Sequence, residues 1–434
     1  MLRAAHTDQH PPALTANTRS FAALRQPHYG SFLLGNMLAM MADNIEHVIS
    51  YWVVFEQFRS PALGGFAVIA HWVPYLLFSV HVGALADRID PRRIIQAGML
   101  LFMAVSVAWG LLIYTGLLQP WHAAILLVLH GVAGVLWLTP GQMLVHNLVG
   151  AELLPSAVRL GATGRYLGMV AGPAVGAGLL YAFGPALGII VNALIYLPML
   201  WWLHRSTRRT PPSHATHAGN AKPQRAIRGL GDIIDTARSI AGNPTIVAMM
   251  LLAGGASLLI GNAYQAQMPG FAHDLGHDHA DLSYGMLLGA DAAGALIAGF
   301  VLESRGLLQP RVRTAFILAM LWCCALGSFA LVSASTQALA YAAALALLFA
   351  AGFLELSFNS MAQTLVQLNA PAESRGRVIG LYAMVALGLR AFAGITVGLG
   401  GTLVGIHWSL ALSALALLII TAIVFTTQGG ARRT

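Results

Sequence analysis

The chain has 434 residues, of which 57% are hydrophobic and only 9% are charged. Soluble domains carry about 25% charged residues, so this composition excludes an ordinary soluble globular protein. The net charge of +8 would suggest nucleic-acid binding in a soluble protein, but here the basic residues cluster between long apolar runs, where they indicate membrane topology and not a nucleic-acid site.

Apolar runs of about 20 residues, the length that crosses a bilayer as a helix, recur along the whole chain. We number them spans 1 to 12, and they lie near residues 31–56, 63–85, 93–115, 121–146, 157–181, 184–204, 245–267, 282–303, 312–333, 337–360, 376–400 and 404–426. The sequence therefore predicts an all-α membrane protein with 12 transmembrane helices.

One long polar segment divides these spans into two sets of six. The predicted organisation is an N-terminal tail, a six-helix bundle, a cytoplasmic linker, a second six-helix bundle and a C-terminal tail, at 1–27, 28–204, 205–244, 245–427 and 428–434. Within the linker, helical spacing from Asp232 to Ala241 predicts a short helix at the membrane surface.

The basic residues orient the chain. Apart from Arg59 in an outer loop, and Arg165 and Arg390 within spans, they lie in or beside segments on one side of the membrane. Because short loops rich in Lys and Arg stay in the cytoplasm, we expect both termini to be cytoplasmic. The protein is thus predicted to be a multi-pass protein of the cytoplasmic (inner) membrane.

The two halves share an internal repeat. WLTPGQMLV (137–145) aligns with FNSMAQTLV (358–366), and GALADR (83–88) has a diverged counterpart in GFVLESR (299–305). Two related six-helix halves place a substrate site near the bilayer midplane and allow the halves to rock around it. The repeat therefore favours a transporter over a receptor or a membrane enzyme.

Span 1 contains three ionisable residues, Asp43, Glu46 and His47, whose spacing of three and four places them on one face of a helix. A charged group at the centre of a membrane helix costs about 2.5–3.5 kcal/mol, which makes each one a functional candidate by default. Two carboxyl groups this close would share a proton. We predict that they couple protons or bind substrate, and the sequence does not choose between them.

Four further ionisable residues lie within spans. Arg165 in span 5 and Arg390 in span 11 are the expected counter-charges for the span 1 acids, or ligands for an anionic substrate. Asp291 in span 8 is a second candidate acid, and Glu355 in span 10 is a candidate inner gate. The alternative is that these groups neutralise one another and have only a structural role.

Aromatic residues and histidines line spans 2 and 4, among them His71, Trp72, Tyr75, His130 and Trp137. They suit a large lipophilic or cationic ligand through stacking and cation–π contacts. They equally suit helix packing and the aromatic belt at the membrane interface.

The outer segment FAHDLGHDHADLS carries His273, His277 and His279 among aspartates. Imidazole and carboxylate groups at this spacing can bind zinc, iron(II) or manganese, although polar loops of this composition also occur without a ligand. A metal site at these histidines remains an alternative.

The loop GALADRIDPRR (83–93) joins spans 2 and 3. It resembles the loop 2–3 motif of the major facilitator superfamily (MFS) of secondary transporters, which runs G-x-L-x-D-R-x-x-R-R. The resemblance implies that the motif braces the cytoplasmic ends of the helices in the outward-facing state. The residues concerned are Gly83, Asp87, Arg88, Arg92 and Arg93.

In that family the acidic residue pairs with the end of span 11, so the resemblance implies that Asp87 contacts Arg375 or Arg377. Asp90 is a departure, because the family often has glycine there.

Span 5 contains small residues every four positions around a proline, a pattern that lets helices pack closely. The run resembles the span 5 motif of MFS proton-driven exporters, G-x-x-x-G-P-x-x-G-G, with Ala177 inserted between the last two glycines. The residues that match are Gly168, Gly172, Pro173, Gly176 and Gly178.

The region from about 28 to 427 resembles MFS exporters, and several runs look closest to the branch of the enterobactin exporter and macrolide efflux proteins. The resemblance implies an antiporter that is driven by the proton gradient without a cofactor. It implies export of lipophilic small molecules, such as drugs, macrolides or siderophore-like compounds, by alternating access. It also implies a monomer embedded among membrane lipids.

Two alternatives stay open. A divalent metal or metal-chelate transporter would use Asp43, Glu46 and His47 or the 273–281 loop, and a membrane sensor would bind a ligand without transporting it. No phosphate-binding Gly-rich loop ending in Lys and Ser/Thr occurs in the sequence, so we expect neither an enzyme nor an ATP-driven pump.

Overall fold

A computed structural model gives the structure of most of the chain. It describes residues 20–58, 61–209, 230–261, 263–275, 280–305, 308–332, 337–393, 396–397 and 400–430. Within these ranges the secondary structure is helical and contains no strand.

The first half of the chain forms five helices. They are α1 (Tyr29–Phe58), α2 (Pro61–Ala86), α3 (Pro91–Tyr114), α4 (Pro120–Ile195) and α5 (Leu197–Arg209). The 76-residue α4 is broken at Gly150 (φ 72°) and Gly184 (φ 70°). Glycine adopts this left-handed backbone readily, so the two breaks divide α4 into spans 4, 5 and the start of 6.

The second half contains ten helices among the described residues. They are α6 (Leu230–Ile240), α7 (Pro244–Leu259), α8 (Ala263–Ala266), α9 (Met268–Asp274), α10 (Ala280–Ser304), α11 (Val312–Ala330), α12 (Gln337–Asn369), α13 (Arg375–Ala386), α14 (Gly400–Val404) and α15 (Ile406–Gly430). The helix predicted from Asp232 to Ala241 is present as α6, and its place at the membrane surface stays a prediction. The rest of the linker from residue 210, and Arg59, lie outside the described residues.

Eight helical runs among the described residues are long and apolar enough to cross a membrane, and one of them, Pro120–Ser206, is the run that the two glycines divide into three spans. Two predicted spans are not among these apolar runs. Span 1 corresponds to α1, which carries polar residues, and span 11 corresponds to the broken helical segment from α13 to α14. The predicted all-α membrane architecture is confirmed.

The helices pack as two groups with separate apolar cores. One core is built almost wholly from residues between Ile240 and Leu417, and others are built from residues between Ala23 and Leu203. We call residues 20–209 the N half and residues 230–430 the C half. The halves meet mainly where α2 contacts α13 and where α4 contacts α10 and α12.

Candidate functional site

A cavity of about 490 Å³ lies between the two halves. Its wall is strongly aromatic, with Tyr29, Phe32, Tyr51, Trp72, Tyr75, Trp137, Tyr166 and Tyr382. The polar lining includes Asn36, Asp43, Asn44, His47, His71, Gln142, Arg165, Gln265, Glu355, Asn359, Gln363 and Arg390. Five of the residues predicted as a proton or substrate site therefore face one space, and the other two, Glu46 and Asp291, lie behind it.

The acids of α1 are bridged by a histidine of α4. His130 contacts Glu46 Oε1 through Nδ1 at 2.8 Å and Asp43 Oδ1 through Nε2 at 2.9 Å. Ser106 of α3 donates a further hydrogen bond to Glu46. His130 therefore joins the two acids of α1 through both of its ring nitrogens.

The pairing expected between the arginines within the spans and the acids of α1 is not present in this structure. Among the described residues, no carboxylate lies within 4.0 Å of Arg165 or Arg390, whereas the two acids of α1 are held by His130. The guanidinium of Arg390 lies 5.3 Å from the ring centre of Trp72, in a cation–π contact. Helix spacing shows which residues share a face, but not which histidine on another helix faces them.

Two more imidazoles adjoin this group. His47 Nε2 and His71 Nδ1 lie 3.2 Å apart, and His47 Nδ1 lies 3.8 Å from Asp43 Oδ2. The sequence placed His71 and His130 only among possible packing or ligand residues. Asp43, His47, His71 and His130 each present a ligand atom within 4.8 Å of the others.

Asp291 lies behind the cavity in the C half. Its Oδ2 accepts hydrogen bonds from Tyr264 at 3.2 Å and Gln265 at 3.3 Å, while Oδ1 is buried without a partner. No described basic side chain lies within 4.0 Å of it. The backbone of Asp291 also packs against Gly352 of α12, one turn before Glu355.

Glu355 faces the cavity with Asn359 and Gln363, as their spacing on one helix face predicts. The carboxyl of Glu355 is buried.

The hydrogen bonds between the two halves, among the described residues, lie at the end that carries the 87–93 loop. We call this the basic end. Asp87 Oδ1 accepts from the backbone N–H of Gly376 at 2.6 Å, and Oδ2 accepts from that of Arg377 at 3.1 Å. The Arg377 side chain approaches Asp87 to 3.7 Å. A Cβ at Gly83 would overlap the carbonyl oxygen of Gly376, so only glycine allows this approach.

Burial raises the pKa of the Asp87 carboxyl to about 6, although the N–H groups of Gly376 and Arg377 and the charges of Arg377 and Arg375 lower it in part. An exposed aspartate has a pKa of about 3.9. The closed basic end therefore holds the Asp87 proton more tightly than an open end that exposes this carboxyl to water.

The closed state should accordingly gain stability as the pH falls through about 6 and lose it as the pH rises. We expect the open fraction to increase between about pH 4 and about pH 6.5, and to level off above that range because Asp87 is then ionised in both states. The measurement is the distance between spin labels on cysteines at Ala151 and Ala372, with both native cysteines replaced by serine. In Asp87→Asn the dependence should flatten, and an undiminished slope in that variant would contradict the assignment.

The three arginines of the loop differ in their surroundings. Arg88 and Arg93 are exposed, and Arg92 lies 3.6 Å from Asp90. Asp90 also caps α3 by accepting from the Arg92 backbone N–H at 3.0 Å. A helix-capping role explains an aspartate at the position where the resembling family often has glycine.

A second contact of the same kind joins α10 to α4 at the basic end. Glu303 Oε2 lies 2.9 Å from Arg159 Nε and 2.8 Å from Arg159 Nη2. Ser156 also donates to Glu303, and Gly299 meets Thr163 as closely as Gly83 meets Gly376. Glu303 and Gly299 belong to GFVLESR, the diverged counterpart of GALADR, so the internal repeat located this half of the contact. The sequence did not identify its partners, Ser156 and Arg159.

The span 5 glycines pack against α1. A Cβ at Gly168 would lie 2.6 Å from the carbonyl oxygen of Met37, and one at Gly172 would lie 2.5 Å from Asn44 Cβ. Gly176 also faces α1, whereas a Cβ added at Gly178 would have no atom within 4 Å, and Pro173 is exposed.

Gly172→Ala should therefore destabilise the protein by about 1–3 kcal/mol, the usual cost of overpacking a core. Gly178→Ala lies on the same helix and is the matched control, because a methyl group there meets open space. Thermal melting in detergent measures the difference. Equal melting temperatures for the two variants would contradict close packing of α4 on α1.

The outer histidine segment is described only in part. His273 lies 3.3 Å from Asp274, which also contacts His407 at 3.2 Å. His277 and His279 lie outside the described residues, so the metal prediction for this segment stays a prediction.

A family model described as transmembrane secretion effector matches residues 18–429 of the chain. An uncharacterized MFS-type transporter of Sinorhizobium fredii, y4rN, is 28% identical over 169 residues. That match covers 38% of this chain and 42% of the relative, so it spans less than half of that protein.

Solved transporters share the fold. The Escherichia coli fucose:proton symporter FucP superposes with a TM-score of 0.69 at 12% identity, covering 94% of this chain and 99% of that one. A bacterial homologue of the iron transporter ferroportin, in an outward-facing state, gives 0.68 at 16% identity over 93% and 99%. The human organic anion transporter MFSD10 gives 0.68 at 13% identity over 91% and 98%. At these identities the likeness concerns the fold alone.

Proposed function

Because the chain belongs to the transmembrane secretion effector family of MFS transporters, we propose that it is a proton-coupled antiporter that exports lipophilic small molecules. The proposal is carried by the cavity between the two halves, which are hydrogen-bonded to each other at the basic end. Behind the cavity wall lies the buried carboxyl of Asp291, which has no described basic side chain within 4.0 Å. A transporter that alternates access needs both features: a central site that one end closes, and a group that exchanges protons.

Asp291 is the proposed proton-exchanging group. An ionised carboxylate that is buried without a cation is unfavourable, so such a group is held neutral by a proton. Its hydrogen bond to Gln265, which lines the cavity, places it one side chain away from the transported molecule. Movement of α7 or α10 during opening would change the solvation of Asp291 and release the proton.

The acids of α1 are the second choice for coupling. Asp43 and Glu46 both contact the imidazole of His130 in this structure, whereas the described hydrogen-bond partners of Asp291 are a tyrosine and a glutamine. They remain within reach of the cargo, since Asp43 lines the cavity.

The cavity wall favours an amphipathic organic cargo. Eight aromatic side chains supply stacking surface. Arg165 and Arg390 also face the space without a described carboxylate within 4.0 Å, so an anionic group on the cargo would find a counter-charge there. A siderophore-like molecule meets both conditions better than a lipophilic cation, and it agrees with the proposed branch of enterobactin and macrolide exporters.

Orientation follows from the positive-inside rule. We place the basic end, with Arg88, Arg92 and Arg93, in the cytoplasm of the inner membrane. Both termini are then cytoplasmic, and the structure is closed toward the cytoplasm. The monomer with its central cavity is sufficient for this cycle.

The test is proton movement in proteoliposomes that hold the purified protein under an imposed pH gradient. Siderophores, macrolides, lipophilic cations and divalent metals are added one at a time, and a pH-sensitive dye is recorded. Proton movement that one class provokes supports antiport and identifies the cargo class. If no compound of the panel provokes proton movement in protein with a normal thermal melt, proton-coupled export of these compounds is contradicted.

A further inference from the structure

The residues Asp43, His47, His71 and His130 form a compact donor group at the N-half wall of the cavity. Their ligand atoms lie within 4.8 Å of one another, and they come from three different regions of the chain, on α1, α2 and α4. We propose that these four side chains bind one divalent first-row transition-metal ion. Binding of the ion at this site does not depend on proton coupling. The further idea that the ion crosses the membrane, free or as a chelate, rests on the proposed export function.

The donor set defines the class of ion. Three imidazoles and one carboxylate suit zinc, cobalt(II), iron(II) or manganese. Magnesium and calcium prefer oxygen ligands throughout and are disfavoured. The two nearest donor pairs, His47 with His71 at 3.2 Å and His130 with Asp43 at 2.9 Å, are close to the separation of about 3.4 Å that ligands of a tetrahedral zinc ion show.

A second contact supports the same conclusion. Glu46 holds Nδ1 of His130 at 2.8 Å, which leaves Nε2 directed at Asp43 within the donor group. A carboxylate that fixes the far nitrogen of a metal-binding histidine is a recurring device, because it sets the tautomer and the ring orientation. Ser106 in turn holds Glu46. Glu46 is therefore a positioning residue for the ion and not a ligand.

Access and charge are also suitable. Asp43, His47 and His71 line the cavity, while His130 lies behind them. An ion would enter from the cavity and keep one side toward it, where a donor atom of a chelating molecule can complete the coordination. A histidine binds metal in its neutral form, so metal binding releases any second proton on His130 to water. One divalent ion then balances the two carboxylates, Asp43 and Glu46, in a buried region where uncompensated charge is unfavourable.

The test uses the full chain purified without a polyhistidine tag, with cobalt(II) as the probe. Equilibrium dialysis gives the stoichiometry, and the visible absorption of cobalt reports nitrogen coordination. We expect about one ion per chain, a loss of affinity of about 10- to 100-fold in Glu46→Gln, which changes a positioning residue, and a loss at least as large in the ligand variants His71→Asn and His47→Gln. Glu46→Gln should weaken binding while the cobalt spectrum keeps its form, since the ligands remain.

The chain offers two matched controls. His81→Asn alters another α2 histidine outside the donor group. A triple variant with asparagine at His273, His277 and His279 removes the imidazole groups of the outer segment. Both should bind cobalt as the wild type does. Three results would overturn the proposal. They are equal cobalt binding by His71→Asn and the wild type, no cobalt retained by the wild type, and loss of binding in the triple variant alone. Thermal melts show that each variant is folded.

A further comparison distinguishes the two sources of the ion. Cobalt is offered alone and as a preformed complex with a catecholate chelator. Retention of cobalt alone identifies the free ion as the ligand, retention of both components in equal amounts identifies the chelate, and retention of neither overturns the site. Asp291→Asn should bind cobalt normally, so loss of coupling and loss of the metal site give separate results.

Discussion

Asp291→Asn is expected to reduce cargo-driven proton movement by about 5- to 150-fold, which corresponds to a typical coupling free energy of about 1–3 kcal/mol between two ligands. Asparagine preserves the shape of the side chain and can still accept from Tyr264 and Gln265, which lie 3.2 and 3.3 Å from Asp291 Oδ2. It cannot gain or lose a proton. The variant should therefore still exchange labelled cargo across the membrane when no net proton transfer is needed.

Two measurements in the same proteoliposomes separate these functions. A pH-sensitive dye reports proton movement, and counterflow of labelled cargo reports exchange. Asp274→Asn is the matched control, because Asp274 is an acid of the same half that lies at the outer end, near His407. Normal proton movement in Asp291→Asn, with loss in Glu46→Gln instead, would transfer the coupling role to α1.

Local sequence patterns predicted much of the fold because membrane helices follow simple rules. Length and apolarity located the spans, and the α6 helix followed from spacing alone. The predicted ends of spans 4, 5 and 6 lie beside the two glycines that break α4, and Gly184 precedes Pro185, a pair that marks a turn. The residues that surround Gly150 give no comparable signal.

The loop motif carried information about a distant contact. Asp87 meets the start of α13, 289 residues away, and that pairing was implied by resemblance and not by the residues themselves. The internal repeat extended the same arrangement to Glu303. The partners Ser156 and Arg159 were missed because serine and arginine near the end of a span are common and carry no local signal.

The polar centre was predicted in part. Spacing in α1 placed Asp43, Glu46 and His47 on one face. Asp43 and His47 lie 3.8 Å apart, and His130 joins Asp43 to Glu46. The bridging role of His130 depends on how α1, α2 and α4 pack together, and that packing cannot be read from the period of any one helix. For the same reason, spacing alone did not show that Arg165 and Arg390 lie without an acid of α1 within 4.0 Å in this structure.

Gly83→Ala is expected to have the second large effect, on the closure of the basic end. The helices α2 and α13 approach so closely that a methyl group on Gly83 would overlap the backbone carbonyl of Gly376. Backbone cannot rotate away as a flexible side chain does, so Gly83→Ala must push the two halves apart at the basic end. Overpacking of this kind costs about 1–3 kcal/mol.

If that cost falls on the closed state alone, the equilibrium between closed and open basic ends shifts by about 5- to 150-fold toward open. We expect longer distances between spin labels at Ala151 and Ala372 in Gly83→Ala, together with loss of transport. Gly30→Ala is the matched control, since Gly30 lies near the same end and has no atom within 4 Å of an added Cβ. Unchanged distances in Gly83→Ala would mean that α2 and α13 adjust without opening, and that Asp87 and the Glu303 contact hold the end closed by themselves.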